Sequence, residues 1–320
     1  MRWKGRRRSS NVQDQRGSGG GGGFGFPGSI GSSGGGIQIP TGGRRRRGGG
    51  GMGIGTLIII GIVLWVLGIN PLKLLGGGLG GGIGGGFAPT TPSPQTQRTQ
   101  PRTEPLGNDE MKAFVETILG STEEVWTNIF NSYGQDYPKP KLNLFTGQVR
   151  SACGAATSAT GPFYCPADSE VYIDLAFYQQ LEREFQAGGD FAQAYVIAHE
   201  VGHHVQNVIG VLPQFNKMRR TMGKIEVNKM SVKVELQADC YAGIWGHFVA
   251  REGWLEAGDL EEALVAATQI GDDTIQKRTQ GYVVPESFSH GTSEQRRYWF
   301  RRGFESGRVE SCDTFKARKL

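Results

Sequence analysis

The residues with the clearest capacity for chemistry lie at positions 198–204, which read AHEVGHH. His199 and His203 are four residues apart, so on a helix both imidazoles project from one face and can bind a single metal ion. Glu200 follows the first histidine and can act as general base toward a water on that metal. This H-E-x-x-H pattern predicts a zinc hydrolase if the run is helical and a third ligand lies nearby.

The residues around the motif indicate a buried helix but supply no third ligand. Apolar side chains recur at helical spacing at Ala194, Val196, Ile197, Val201, Val205 and Val208. The longer motif H-E-x-x-H-x-x-G-x-x-H is not present, because Gln206 and Ile209 occupy its glycine and third histidine positions. The third ligand must therefore come from another part of the chain.

The best source of that ligand is the run VELQADCYAG at 234–243. Glu235 and Asp239 are also four residues apart and share a helix face. Glu235 can complete a His₂Glu zinc site. Asp239 can accept the free ring N–H of a ligand histidine, which fixes its tautomer and raises its basicity. A helix with a solvated acidic face is the alternative interpretation.

The two motifs together resemble the gluzincin branch of the zincin metallopeptidases. The start of the chain, MRWKGRRRSSNVQDQRG, and a later run, FSHGTSEQRRYWFRRGFESG, resemble the bacterial putative neutral zinc metallopeptidase family. The resemblance implies a zincin-like fold, one Zn²⁺ per chain and hydrolysis of peptide bonds. It also implies that an edge strand of the sheet binds the substrate backbone, and EVYID at 170–174 is the candidate strand, with an ordinary buried strand as the alternative.

A group that stabilises the oxyanion is less clearly marked. His290 lies in a loop before a helix with a Thr292/Gln295 capping box and is the first candidate, with a structural loop histidine as the alternative. Tyr241 and Tyr282 are weaker candidates. Two other histidines, His204 and His247, are expected to be structural or packed rather than metal ligands.

One segment has the composition of a membrane span. Residues 51–75 contain the uncharged apolar run MGIGTLIIIGIVLWVLGI at 52–69, about the minimum length for a bilayer core of ~30 Å. Four arginines at 44–47 precede it, and the first fifty residues carry ten basic side chains and one acidic side chain. The positive-inside rule then predicts a cytoplasmic N-terminus and a periplasmic or extracellular catalytic domain. A cleaved signal peptide is the alternative.

The net charge of +5 is distributed unevenly. Residues 51–320 carry a net charge of −4, so the excess of basic residues belongs to the N-terminal tail. Beside a membrane, anionic lipid head groups are the natural partner of such a tail, although it can also serve as a topology signal alone. No specific nucleic-acid partner is expected, because the tail lacks interleaved aromatic residues. The sequence does not predict an oligomeric state.

The four cysteines all follow the apolar run, where disulfides are permitted. No C-x-x-C spacing indicates a second metal site or a redox motif. Of the three possible connectivities, Cys153–Cys165 with Cys240–Cys312 is favoured. The first closes a short loop, and the second ties the chain end to the helix that carries Glu235.

Composition divides the chain into four parts. We expect a disordered basic Gly/Arg-rich tail at 1–50, the membrane helix at 51–75, a Gly/Pro/Thr-rich linker at 76–107 and the zinc metallopeptidase domain at 108–320. The domain is predicted to be α+β, mostly helical with a small sheet. Its predicted strands are 141–149 and 170–174, around a loop at 150–170, and its predicted helices are 108–130, 175–186, 191–209, 226–251, 258–270 and 293–304.

The sequence thus predicts a membrane-anchored zinc metallopeptidase that acts on envelope or extracellular proteins. One alternative is a non-catalytic binding or assembly protein with a zinc fold, although such a protein has no need of Glu200. The other is a zinc amidase that acts on cell-wall peptides. The motif alone does not separate the peptidase from the amidase.

Overall fold

Helices make up most of the chain that the structure describes, in agreement with a mainly helical α+β fold. The computed structural model describes residues 1–16, 108–185, 188–318 and 320. The helices in these ranges are α1 Asn108–Ser132, α2 Ala176–Phe185, α3 Asp190–Val208, α4 Val211–Met218, α5 Lys224–Arg251, α6 Asp259–Gln269, α7 Asp272–Gln280 and α8 Ser293–Ser306. Short 3₁₀ turns cover Ser158–Thr160, Pro285–Ser287 and Val309–Cys312.

The strands form one four-stranded sheet and one separate hairpin. They are β1 Val12–Asp14, β2 Lys141–Phe145, β3 Gln148–Ser151, β4 Gly154–Thr157, β5 Phe163–Cys165 and β6 Glu170–Asp174. The sheet has the order β1-β2-β6-β5, with β1, β2 and β6 parallel and β5 antiparallel at one edge. Strands β3 and β4 pair as an antiparallel hairpin.

Helix α5 is the centre of the helical layer and packs against both α3 and α8. Two glycines allow the close crossing of α5 and α8. A Cβ atom at Gly243 would lie 2.0 Å from the carbonyl oxygen of Phe300, and one at Gly303 would lie 1.9 Å from that of Cys240. The predicted disulfide Cys240–Cys312 is present and joins α5 to the C-terminal region. The predicted Cys153–Cys165 bond is also present, between the β3–β4 hairpin and β5.

The strongly periodic helices and the strand at 170–174 lie where the sequence predicts them, within one or two residues at most ends. The predicted strand 141–149 is wrong in extent, because a turn with Gly147 at φ +78° separates β2 from β3. The loop predicted at 150–170 contains most of the β3–β4 hairpin and β5. Helix α7 was not predicted, because Ile275 is its only large apolar residue and no helical periodicity can be recognised.

The predicted disorder of the whole tail at 1–50 is wrong for residues 1–16. Val12–Asp14 forms β1 of the sheet, and Trp3 is only 5% exposed. The indole ring of Trp3 packs edge-on against Phe114, with ring centroids 5.3 Å apart. Composition averaged over fifty residues conceals this short apolar and strand-forming start among arginines and glycines.

The predicted membrane helix at 51–75, the linker at 76–107 and the rest of the basic tail lie outside the described residues. Within the ranges that are described, we find no helix that combines the length and the apolar character needed to cross a bilayer.

Candidate metal centre

Two neighbouring helices bring the predicted ligands together. Helix α3 supplies His199 and His203 from adjacent turns, and α5 supplies Glu235. The Nε2 atom of His199 lies 3.2 Å from Glu235 Oε2, and the Nε2 atom of His203 lies 3.5 Å from Glu235 Oε1. One potential ligand atom from each residue lies within 4.8 Å of the other two.

The other ring nitrogen of each histidine is held by a hydrogen-bond acceptor. His199 Nδ1 lies 2.8 Å from Asp239 Oδ1, as predicted for Asp239, and His203 Nδ1 lies 2.9 Å from Gln206 Oε1. Both contacts favour a proton on Nδ1 in the neutral imidazole, which leaves the Nε2 lone pairs directed toward Glu235. Two imidazole nitrogens and one carboxylate, with their orientation fixed in this way, fit a catalytic zinc ion.

Asp239 is the centre of a buried ionic network that the sequence does not reveal. Its carboxylate is fully buried and accepts hydrogen bonds from the Tyr195 hydroxyl at 2.5 Å and from His199. Arg296 on α8 binds both oxygens, with Nε and Nη2 each at 2.9 Å. Arg296 also donates to the carbonyl oxygen of Ile270 at 3.2 Å. The network thus ties α3, α5 and α8 together directly behind the metal ligands.

The charges of this network shift the protonation of the ligands. Burial lowers the pKa of His199, but Asp239 and Glu235 outweigh it and raise that pKa to about 10. His203 has a raised pKa because the attraction of Glu235 exceeds the effect of burial. The pKa of Glu235 lies well below its usual value despite burial, because His203 and His199 stabilise its charge. In the metal-free site protons thus hold the positions that a cation would take.

Glu200 lies in the same cleft but differs from Glu235 in its electrostatic environment. It is 7% exposed, and burial raises the pKa of its carboxyl group even though His199 and His203 pull in the opposite direction. A carboxylate with increased proton affinity is suited to accept a proton from water and to pass it on.

The cleft above the ligands has a volume of about 380 Å³. Its walls are mostly apolar or aromatic around the polar centre and include Phe163, Tyr164, Phe177, Val196, Ile270 and Ile275. The start of β5 and the residues before it, Thr160–Pro162, form one side. The prediction that 170–174 is the edge strand is wrong, because β6 lies between β2 and β5. Among the described strands, β5 forms the sheet edge beside the cleft.

His290 lies at the rim of the cleft, where its side chain is about half exposed. Its Nδ1 atom is 3.1 Å from Asp272 Oδ1. The second oxygen of Asp272 accepts the backbone N–H groups of Ser289 at 2.7 Å, His290 at 2.6 Å and Gly291 at 3.1 Å. Burial lowers the pKa of His290, but Asp272 and Glu235 outweigh it, so that the pKa is raised. One carboxylate thus fixes both the loop and the ring that the sequence singled out.

Comparison with known proteins agrees with this geometry. Residues 1–315 match the family model described as "Putative neutral zinc metallopeptidase". The chain belongs to this family. It is 45% identical over 315 residues to the Escherichia coli (strain K12) protein named "Uncharacterized protein YpfJ", and the match covers 98% of this chain and 99% of that one. No solved structure matches the chain.

More distant relatives come from mycobacteria. The proteins named "Uncharacterized protein Mb2605" of Mycobacterium bovis and "Uncharacterized protein Rv2575" of Mycobacterium tuberculosis (strain H37Rv) are each 39% identical over 239 residues. These matches cover 71% of this chain and 78% of each relative. Family membership implies zinc and a protein or peptide substrate.

The two other histidines and the two weaker tyrosine candidates lie outside the ligand set. His204 contacts the carbonyl oxygen of Pro138 at 2.6 Å and the Tyr164 hydroxyl at 3.1 Å, which agrees with the predicted structural role. His247 contacts the carbonyl oxygen of Phe304 at 2.8 Å. Tyr241 is buried against Trp126, and Tyr282 lies outside the cleft and is 58% exposed, so neither tyrosine stands where an oxyanion would form.

A second group of carboxylates, at Asp190, Asp259 and Glu262, converges at the start of α3. The amino group of Met1 lies between two of them, 2.7 Å from Asp190 Oδ1 and 3.4 Å from Asp259 Oδ2. This amino group offsets part of the negative charge of the three carboxylates.

Four residues of the site were not predicted from the sequence: Tyr195, Gln206, Asp272 and Arg296. Tyr195 lies one helical turn before His199, so a search of α3 for polar side chains on the ligand face would have found it. Gln206 could have been found in the same way, three residues after His203. Asp272 and Arg296 come from other elements and carry no local signal.

Proposed function

We propose that this protein is a zinc-dependent endopeptidase that cleaves proteins close to a membrane, with envelope or extracellular proteins as substrates. The observation that carries the proposal is the convergence of His199, His203 and Glu235, with both Nε2 atoms facing the carboxylate and Glu200 beside them. A purely structural zinc site needs neither this buried base nor a cleft. The anchor is the apolar run at 52–69, for which the sequence is the support.

When bound by His199, His203 and Glu235, zinc would lower the pKa of a water molecule and polarise the carbonyl group to be attacked. Glu200 accepts the proton of the attacking water. It then donates this proton to the leaving nitrogen as the C–N bond breaks. Its raised pKa supports both halves of this transfer.

In this proposal His290 stabilises the negative charge that develops on the carbonyl oxygen, and its position at the cleft rim supports the role. The Asp272 contact raises the pKa of the ring and keeps it at the cleft rim. A positioned donor of this kind is worth about 10²–10³ in kcat when it faces an oxyanion. Arg296 also lines the cleft, but its guanidinium is engaged by Asp239, so it acts by positioning.

We propose that the substrate backbone lies along the free edge of β5. An extended peptide can add to a sheet edge through main-chain hydrogen bonds alone, which tolerates many sequences. The apolar walls at Phe177, Ile270 and Ile275 would then favour apolar side chains next to the scissile bond. A peptide that pairs with a sheet edge must be locally extended, so unfolded proteins should be cut faster than folded ones.

The test is hydrolysis of a substrate panel by the purified full-length protein. The panel contains one protein in folded and unfolded form and a set of muropeptides, and the variant Glu200→Gln is compared with the control Glu124→Gln at an exposed position. We expect cleavage of the unfolded protein by wild type and control, and a loss of at least about 10³-fold in Glu200→Gln with zinc content unchanged. Wild-type turnover by Glu200→Gln would refute the mechanism, and cleavage of muropeptides alone would identify an amidase.

A further inference from the structure

The first sixteen residues are built into the peptidase domain, although ninety-one residues separate them from α1. Strand β1 pairs in parallel with β2, with Val12 opposite Leu142. The backbone N–H of Leu142 donates to the carbonyl oxygen of Asn11 at 2.9 Å, and that of Gln15 donates to the carbonyl oxygen of Leu144 at 2.8 Å. The segment 1–16 therefore extends the sheet that also carries β5.

A buried carboxylate on α1 depends on this segment. Glu123 is 1% exposed, and within the described part of the chain its side-chain hydrogen bonds all come from residues 7–11. The Ser9 hydroxyl donates to Oε1, and the Asn11 side-chain amide donates to the same oxygen at 2.7 Å. Arg7 Nη2 donates to Oε2 at 3.0 Å. The segment therefore supplies the donors that a buried carboxylate requires.

The surface of α1 is shaped to receive the segment. Gly120 lies in the middle of this helix, where glycine costs about 1 kcal/mol relative to alanine. A Cβ atom there would lie 3.0 Å from the carbonyl oxygen of Arg7 and 3.1 Å from the nitrogen of Ser9. The helix also offers two carbonyl oxygens, since Ser9 N–H donates to Glu116 at 2.9 Å and Arg7 Nη2 donates to Gly120 at 2.6 Å.

The segment also reaches the helix that carries the metal ligands. Trp3 is buried in the core that includes α3, and the backbone N–H of Arg2 donates to the carbonyl oxygen of Trp254 at 2.6 Å. The amino group of Met1 contacts Asp190, the first residue of α3, at 2.7 Å. The contacts thus run from the sheet edge to the start of the catalytic helix.

We propose that residues 1–16 are a permanent part of the peptidase domain and occupy the same compartment as residues 108–320. A chain that crossed a membrane once between these two parts would place them on opposite sides. The topology expected from the positive-inside rule, with a cytoplasmic N-terminus and an external domain, is incompatible with the contacts to Glu123 and Gly120. The segment and the domain would therefore lie on the same face of any membrane that the protein meets, so the proposed anchor at 52–69 would attach without a single crossing between them.

Cysteine labelling in cells tests this proposal directly. Ser10→Cys marks the segment and Lys229→Cys marks the domain, both at exposed positions. Each variant of the full-length protein is treated with a membrane-impermeant maleimide before and after permeabilisation of the cells, and the wild type gives the background of the four native cysteines. We expect both sites to become labelled in the same preparation. Labelling of one site in intact cells and of the other only after permeabilisation would overturn the proposal.

Limited proteolysis tests the docking itself. Trypsin cleavage after Arg6, Arg7 and Arg8 is followed by mass spectrometry in the wild type, in Gly120→Ala and in the control Gly223→Ala, where a Cβ atom meets nothing closer than 3.8 Å. We expect slow cleavage in the wild type and control, and cleavage at least about tenfold faster in Gly120→Ala, because the added Cβ would press on the backbone of Arg7 and Ser9. Helix propensity alone would have the opposite effect, since it makes alanine stabilising there. Equally fast cleavage in all three proteins would show that the segment is not held.

Discussion

The replacement Asp239→Asn separates the structural role of the buried network from its role in metal binding. The asparagine would keep the shape of the side chain but would remove the charge that faces Arg296, whose side chain is only 4% exposed. Breaking a buried ion pair on one side costs about 3–5 kcal/mol, because the remaining charge stays buried. We therefore expect the free energy of unfolding to fall by about this amount, measured by urea denaturation of the zinc-free protein.

The same replacement weakens the hold on His199. Asp239 Oδ1 lies 2.8 Å from His199 Nδ1, and loss of such a partner typically lowers metal affinity by about 10–100-fold, or about 1.4–2.7 kcal/mol. Zinc affinity is measured by competition with a chelator. The control is Asp136→Asn at an exposed position, which should change neither the free energy of unfolding nor the zinc affinity.

A second variant distinguishes the two roles. The double replacement Asp239→Asn with Arg296→Met removes both charges, so it should recover much of the lost stability while zinc affinity stays low. The explanation would be refuted if Asp239→Asn left stability unchanged, or if the double variant regained wild-type zinc affinity.

Three further predictions concern the proton balance, the cleft rim and the helix crossing. Zinc binding at pH 6 should release about two protons, because the pKa values of His199 and His203 are both raised in the metal-free site, and affinity should fall as the pH is lowered. Calorimetry in buffers of different ionisation enthalpy measures this release, and a heat independent of buffer would contradict it. His290→Ala should lower kcat by about 10²–10³-fold with zinc content unchanged, and Asp272→Asn should lower kcat by a smaller factor. An unaltered kcat in His290→Ala would remove the histidine from the mechanism. Gly303→Ala should destabilise the fold by about 1–3 kcal/mol relative to Gly223→Ala in urea denaturation, since its Cβ meets the Cys240 carbonyl oxygen at 1.9 Å, and equal stability would mean that the crossing can open.

The sequence was most informative where function depends on spacing within one helix. His199 with His203, and Glu235 with Asp239, are each four residues apart, so helical geometry alone placed each pair on one face. The structure then brings the two faces together across α3 and α5. Disulfide pairing was also predictable, because the four cysteines allow only three connectivities.

Contacts between distant elements could not be predicted in this way. Arg296 and Arg297 are adjacent in the chain and look alike in the sequence, yet Arg296 is buried on Asp239 while Arg297 is 43% exposed. Only the crossing of α8 over α5 distinguishes the two arginines. The prediction that residues 170–174 form the edge strand was wrong for the same reason. The order of strands in the sheet, which puts β5 at the edge, also depends on contacts between distant elements.

The error at residues 1–16 has a different origin. Arginine, glycine and serine dominate the first fifty residues, so an average over this stretch indicates disorder. Trp3 and Val12 are the local signals of order, and both contact the core in the structure. A short ordered segment at the edge of a low-complexity region is therefore detected only when composition is averaged over a window no longer than the segment.

Zinc coordination by His199, His203 and Glu235 is the central claim. The most direct test is the zinc content of the full-length protein, purified without chelators, beside that of Glu235→Ala and of the control Glu124→Ala. We predict about one zinc per chain in the wild type and in the control, and a loss or strong weakening of zinc binding in Glu235→Ala. Equal zinc content in all three proteins would show that Glu235 is not the third ligand, and a wild-type protein without zinc would contradict the account as a whole.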